Sequence, residues 1–395
     1  MDDPPAAAPG SWGSVLGVAL QLGLTSFGGP IAHLGYFRRE YVERRRWLDE
    51  RDFADLVALC QTLPGPASSQ LGIAIGRLRA GAAGALAAWV GFTLPSAAIM
   101  VGFALLAGST DLADAGGVAG LKLAAVAVVG HAVLRMSATL APNLAQRLLA
   151  LVSAGVLLVL EGPVMQVGVL AAAALLGYAW THGQRRSPPT ARVGGRRWGM
   201  VALVVFGVLL IALPVLRAVD GQVVALVDTF YRAGSLVFGG GHVVLPLLDA
   251  GVVGPGWVSE DQFLAGYGLA QAIPGPLFTF SAYLGAVAAP EPNEVLGAVL
   301  ALVAIFLPSF LLVFGVLPFW ERLRGSPRVR GALDAVNVAV IGLLLAALYH
   351  PVATAAIGSP LDAAVALGGL ALLSARVPPL AVAAGAAVAG QLIGP

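Results

Sequence analysis

Four short stretches break the apolar pattern of this chain in a way that suits anion chemistry. Phe27-Gly-Gly-Pro30 and Leu63-Pro-Gly-Pro66 lie in the first half, Phe238-Gly-Gly-Gly241 and Ile273-Pro-Gly-Pro276 in the second. Glycine and proline interrupt helices, and a helix restarts after each interruption. Pro66 suits a first helical turn, where its missing N–H costs nothing. The N–H groups of Ala67, Ser68 and Ser69 then lack intrahelical partners and point at the break. That end carries about half a positive charge and favours anions. Candidate contacts are Gly28, Gly29, Pro30 and His33 at the first break, and Gln61, Pro64, Gly65, Pro66, Ser68, Ser69 and Gln70 at the second. The second half offers Gly239, Gly240, Gly241 and His242, then Gln271, Pro274, Gly275, Pro276 and Thr279. Many donors around one centre suit a tetrahedral oxyanion. The alternative is that glycine and proline only permit close packing or kinks.

The elements that hold these breaks belong in a membrane. Of 395 residues, 58% are hydrophobic and 11% charged, against about 25% charged in soluble domains. Mean hydropathy is +0.85. Apolar runs such as 82–107 and 295–319 are long enough to cross a hydrocarbon core of ~30 Å. Irregular backbone is tolerated there only against protein or a water-filled cavity, so symmetric breaks point to a central site. The expected fold is an all-α integral membrane protein. The single cysteine, Cys60, leaves no internal disulfide and no cysteine-based metal site. The first ten residues hold no Lys or Arg, unlike a cleavable signal peptide.

The chain is duplicated. Trp47 returns as Trp257, Phe53 as Phe263, Gln61 as Gln271, and Phe92-Thr-Leu-Pro-Ser96 as Ile305-Phe-Leu-Pro-Ser309, at offsets of 210 to 213 residues. The expected division is a tail (1–11), a first repeat (12–180), a basic cytoplasmic linker (181–198), a connecting transmembrane helix (199–217) and a second repeat (218–395). A single extra span between repeats inverts the second. Charge agrees: loop 36–52 carries six Arg, whereas 246–262 carries none and holds Asp249, Glu260 and Asp261. Positive residues favour the cytoplasmic side. The halves are therefore expected as inverted repeats, a recurring plan of secondary transporters. Loops 36–52 and 77–81 both look cytoplasmic, so 53–76 is expected as a re-entrant hairpin turning at Pro64-Gly65-Pro66. The same parity suggests hairpins at 12–35 and 222–245, with four spans besides in each half.

Other ionisable residues carry two readings each. The run Arg38–Arg46 either orients the protein as a solvated or interfacial helix or draws anions to the mouth. Arg38 and Arg39 lie nearest the break. Lys122 either contacts the anion or snorkels, and Asp334 sits at the matching place in the second half. Asp228 and Asp334 could carry protons for coupling, yet Asp228 and Arg232, four apart, could equally neutralise each other. His131 and His350 suit helix ends. No phosphate loop for ATP, no zinc helix and no nucleophile elbow is present.

These strings resemble a known family. Ser26-Phe-Gly-Gly-Pro-Ile-Ala-His33, Gly35-Tyr-Phe-Arg-Arg-Glu-Tyr-Val42, Arg45-Arg-Trp-Leu-Asp49 and Leu59-Cys-Gln-Thr-Leu-Pro-Gly-Pro-Ala-Ser-Ser-Gln70 look like the first half of chromate ion transporters. Leu236-Val-Phe-Gly-Gly-Gly-His-Val-Val-Leu-Pro246 and Gln271-Ala-Ile-Pro-Gly-Pro276 look like the second. The resemblance covers nearly the whole chain. It implies a multi-pass protein of the cytoplasmic (inner) membrane that exports chromate and so confers resistance. It also implies competition by sulfate and energy from an ion gradient, without a cofactor. The expected partners are chromate, sulfate and the lipid bilayer, with a homodimer open and no nucleic acid. A sulfate or other oxyanion carrier is the alternative, and a membrane-embedded enzyme a remote one.

Overall fold

The computed structural model describes residues 10–27, 29–109, 116–160, 163–181, 195–217, 221–237, 244–320 and 326–393. Among these no strand occurs. Sixteen helices carry the argument. α1 (Trp12–Thr25), α2 (Gly29–Phe37), α3 (Glu50–Thr62), α4 (Ala67–Ser109), α5 (Gly116–Leu140), α6 (Leu144–Val159) and α7 (Pro163–Trp180) form the first half. α8 (Arg196–Arg217) connects. α9 (Gly221–Leu236), α10 (Val244–Leu248), α11 (Glu260–Ala272), α12 (Phe280–Val287), α13 (Glu294–Val316), α14 (Pro327–Ala347), α15 (Pro360–Ser374) and α16 (Pro379–Ile393) form the second.

Local chemistry sets the boundaries. α1 starts where Ser11 Oγ accepts from Ser14 N–H at 3.2 Å. It ends at Ser26, before the Gly-Gly break. At 14 residues it rises about 21 Å, too little for a ~30 Å core. α3, with 13 residues, is shorter still. Neither is long enough to cross alone. The limb after the Pro-Gly-Pro turn is the start of α4, which is interrupted at Ala80 and at Gly81 (φ +63°). Residues beyond that break form a long span kinked near Pro95. In the second half the corresponding limb and span are separate helices, α12 and α13.

Five stretches are long and apolar enough to cross a membrane: Ala67–Leu106, Ala119–Leu140, Arg196–Arg217, Glu294–Phe319 and Pro327–His350. α6 and α7, at 16 and 18 residues, fall below the ~20 that a full untilted crossing takes. Four full spans per half is thus a reading that these two helices meet only where the bilayer thins or flanking residues snorkel to the interface. Leu148, Leu151, Val204, Val208, Ile211, Leu296 and Val299 all face outward. Such a belt is costly in water and natural against lipid tails.

The halves interlock. α1 packs on α4 as α9 packs on α13. α5 packs against α15 and α16, and α14 packs against α6 and α7. Each half therefore lends one helix to the other's final pair. Small residues permit the close crossings. A Cβ on Gly76 would stand 2.3 Å from the Gly84 carbonyl oxygen, and one on Gly285 2.2 Å from that of Gly297.

The basic run keeps its arginines exposed, as a solvated helix would, but it is not a regular α-helix. Arg38–Arg44 is π-helical, with Tyr41 and Glu40 buried. Asp249–Val253 is π-helical at the equivalent place. The exits match as well. Trp47 N–H donates to Tyr41 O (2.7 Å), and Trp257 N–H donates to Val252 O (2.9 Å).

Candidate functional site

The two Pro-Gly-Pro turns meet the opposite half at the same two points. Gly65 N–H donates to Val237 O at 2.6 Å, and Gly275 N–H donates to Ser26 O at 3.0 Å. Val237 and Ser26 are equivalent positions, each just before a Gly-Gly motif. Each turn also abuts the proline kink of the other half's span. A Cβ at Gly65 would lie 2.8 Å from Ser309 Oγ, and one at Gly275 2.6 Å from Ser96 Oγ. Both glycines have positive φ, +118° and +103°, where side chains are strained. The crossing is thus reciprocal, and it excludes any larger residue at its centre.

Among the described residues, chemistry at the crossing is concentrated in the first half. The first intrahelical bond of α4 runs from Gln70 N–H to Pro66 O at 2.9 Å, which leaves the N–H groups of Ala67, Ser68 and Ser69 at the helix's open end. Pro66 is therefore the residue before the first helical one. His33 is buried, edge-on to Phe92 at 5.3 Å. Its Nε2 is 3.2 Å from Ser26 O, and its Nδ1 is 3.2 Å from Ser68 Oγ. A carbonyl only accepts, so Nε2 carries the hydrogen. In the neutral ring Nδ1 then accepts from Ser68 O–H. Ser69 is different: its Oγ is buried without a hydrogen-bond partner, as are Ser26 Oγ, Thr93 Oγ1 and Gln70 Oε1. Gln70 Nε2 donates to Pro64 O at 2.6 Å. An orphaned buried polar atom costs about 1–3 kcal/mol, so water or a ligand at these atoms would offset a real penalty.

In the second half the equivalent helix opens with a tighter 3-10 turn, Leu277–Thr279. Thr279 Oγ1 donates to Pro276 O at 2.9 Å, and Ser281 Oγ to Phe278 O at 2.8 Å. Phe278 and Phe280 stand where Ser68 and Gln70 stand in the first half, and both are buried. Gln271 is half-buried, whereas Gln61 is exposed. Gly28 and Gly239, Gly240, Gly241 and His242 lie outside the described residues, as does the side chain of Pro30. Gly29 opens α2 with φ +75°.

The remaining candidates are not drawn to the crossing. Arg38 is exposed and paired with Glu43 and Glu50, both at 2.5 Å, and these carboxylates raise its pKa. Lys122 bridges the halves through Asp261 at 2.5 Å. Asp334 is exposed on α14. Asp228 is buried and paired with Arg232, one turn on, and Arg217 Nη1 stands 3.5 Å from the same oxygen. His131 sits inside α5, 3.5 Å from Ser374 Oγ, rather than at a helix end. His350 does end its helix, in extended backbone. Sequence reasoning passed over Ser26, Thr93, Ser96 and Ser309. The recurrence of Pro-Ser in both spans was the available signal.

A helical, multi-pass membrane protein whose halves cross at paired unwound segments is a transporter-like architecture. The chain belongs to the chromate transporter family, whose model matches residues 14–178 and 224–391. It is 30% identical over 348 residues to the chromate transport protein of Pseudomonas aeruginosa, covering 85% of this chain and 80% of that one. It is 29% identical over 340 residues to that of Cupriavidus metallidurans, covering 83% and 80%. No solved structure matches. The family and the apolar helices make it a multi-pass inner-membrane protein.

Proposed function

We propose that this chain is a secondary transporter that exports chromate across the cytoplasmic membrane, giving chromate resistance, by alternating access around an oxyanion site at the crossing. In this reading 12–180 and 218–395 are the rocking repeats. The tail 1–11, the linker 181–198 and the connecting helix 199–217 lie outside them. Gly29, His33, Pro64, Gly65, Pro66, Ser69 and Gln70 line one side, with Gln271, Pro274, Gly275, Pro276 and Thr279 opposite. The observation that carries the reading is the reciprocal pair of hydrogen bonds from Gly65 to Val237 and from Gly275 to Ser26. Two helix starts held against each other give a centre that either half can uncover by rocking. The relatives' names supply the substrate, and they describe carriers rather than catalysts. Chromate is a dianion at neutral pH, so an inside-negative membrane favours its exit by ~2.3 kcal/mol per charge per 100 mV.

The test is labelled chromate uptake into everted vesicles, with and without excess sulfate. Uptake that requires an energised membrane and falls with sulfate is the expected result. Absence of uptake in vesicles that contain inserted protein would overturn chromate export and favour a carrier of sulfate or another oxyanion.

A further inference from the structure

A second basic site lies away from the crossing. A cavity of about 340 Å³ opens between the end of α8, α9 and the second π-helical turn, lined by Arg217, Thr229, Arg232, Leu236, Ala250 and Pro255 among others. Among the described residues, its only charged lining residues are the two arginines. Both share one carboxylate oxygen, Asp228 Oδ2. Two guanidinium groups against one carboxylate leave a surplus positive charge in a half-apolar recess. Arg232 Nε is buried without a hydrogen-bond partner, and so is Thr229 Oγ1. Thr229 is only 6% exposed. At about 30 Å³ per water, the space holds an oxyanion together with part of its hydration.

The fold alone does not require this arrangement. At the equivalent places the first half has Gly17, Val18 and Gln21 instead of Asp228, Thr229 and Arg232. The helix ahead of the Gly-Gly motif forms in both halves, so the charged cluster serves something beyond that helix. The adjoining cavity, lined by Asp249, Glu260 and His350, has acidic walls and would repel the same ligand.

We propose that this cavity is a second oxyanion site, in which Arg232 and Arg217 clamp a tetrahedral dianion of the sulfate type and Thr229 donates to it. Guanidinium groups suit such ligands because their donors form a planar fork. Asp228 holds both arginines in place while the site is empty and gives up part of their hydrogen bonding when the anion enters. Arg217 ends the connecting helix, on the face opposite the basic linker. As a relay for the departing anion the cavity rests on the transport reading above; as a binding site it does not.

Pro255 is exposed on the cavity rim and Cys60 is buried, so Pro255→Cys in a Cys60→Ala background places one reactive thiol at the mouth. The full chain in lipid nanodiscs, open on both faces, is treated with an anionic methanethiosulfonate reagent. Saturating inorganic sulfate is expected to slow labelling about tenfold, while chloride at matched ionic strength leaves it unchanged. Arg232→Gln and Arg217→Gln should each remove the protection. Thr229→Val should weaken sulfate roughly five- to tenfold. Arg232→Gln leaves Asp228 short of a partner, so the charge-balanced pair Asp228→Asn with Arg232→Gln is tested beside it, with folding checked by monodisperse elution. Labelling that ignores sulfate, or protection that survives in the balanced pair, overturns the site. Protection without chromate uptake in vesicles leaves this site standing and removes chromate export, in favour of a carrier of sulfate or another oxyanion. Uptake without protection does the reverse.

Discussion

The two halves share a backbone plan and differ in chemistry. Each has a short helix ending before a Gly-Gly motif, a π-helical turn closed by a tryptophan N–H, and a Pro-Gly-Pro turn seated on the other half's kinked span. Yet the first half places His33, Ser68, Ser69 and Gln70 at the crossing, where the second places Val244, Phe278, Thr279 and Phe280. Orphaned polar atoms follow the same division. Symmetry therefore explains the scaffold, and its violation marks where a ligand would be recognised. Away from the crossing the division reverses in one place, where the second half has Asp228, Thr229 and Arg232 and the first has Gly17, Val18 and Gln21.

The comparison breaks first on topology. Single cysteines at Asp49 and Ser259, in a Cys60-free background, mark equivalent helix starts in the two halves. Inverted repeats place them on opposite sides, so an impermeant maleimide on intact cells should label the Ser259 site and spare the Asp49 site. Labelling of both from outside would remove the inversion, and with it the alternating-access scheme.

Next in size are the paired glycines. Gly65→Val and Gly275→Val each force a side chain into positive φ and into a serine of the opposite span. Strain of this kind costs of order 1–3 kcal/mol before the clash is counted, so transport should fall at least about tenfold in both. Equal losses support a symmetric scaffold. A tolerated substitution in one half would mean that only one turn is held at the crossing.

The duplication and the breaks were legible because Gly-Gly and Pro-Gly-Pro strings restrict the backbone wherever they occur. The π-helical turns were not. Arg38–Arg44 and Asp249–Val253 share little beyond Val42 and Val253, and what they have in common is the backbone bond from the following tryptophan. The exchange of α5 and α14 between halves was equally hidden. Its crossings depend on small residues such as Gly120 against Ala386 and Gly331 against Gly177, in a chain where glycine and alanine are everywhere. At the site the serines could be listed but not ranked. Only the geometry shows that Ser68 is committed to His33 while Ser69 is unpartnered.

That ranking gives the third prediction. Ser69→Ala should reduce oxyanion transport roughly tenfold, as loss of one hydrogen bond to a charged ligand implies. Thr279→Val should cost less than about twofold, because its hydroxyl bonds within its own turn. Ser68→Ala should fall between them. Similar losses at Ser69 and Thr279 would show that recognition is shared evenly, against the division drawn from the orphaned atoms.

The smallest effect concerns how each π-helical turn is joined to the helix behind it. In the second half Ser259 Oγ accepts from Gln262 N–H at 3.2 Å, and Gln262 Oε1 accepts in return from Ser259 N–H at 3.1 Å. In the first half Asp49 accepts from Asp52 N–H at 2.7 Å. Trp47 instead stacks on Tyr41, with the Arg45 and Arg79 guanidinium groups over its ring. The same joint is thus held mainly by a reciprocal cap on one side and by aromatic stacking on the other. Ser259→Ala should cost about 1 kcal/mol of thermal stability, while Asp49→Ala, backed by the stacked tryptophan, should lower the melting temperature less. A larger drop for Asp49→Ala would show that the stack depends on the cap, and that both joints are closed by the same interaction.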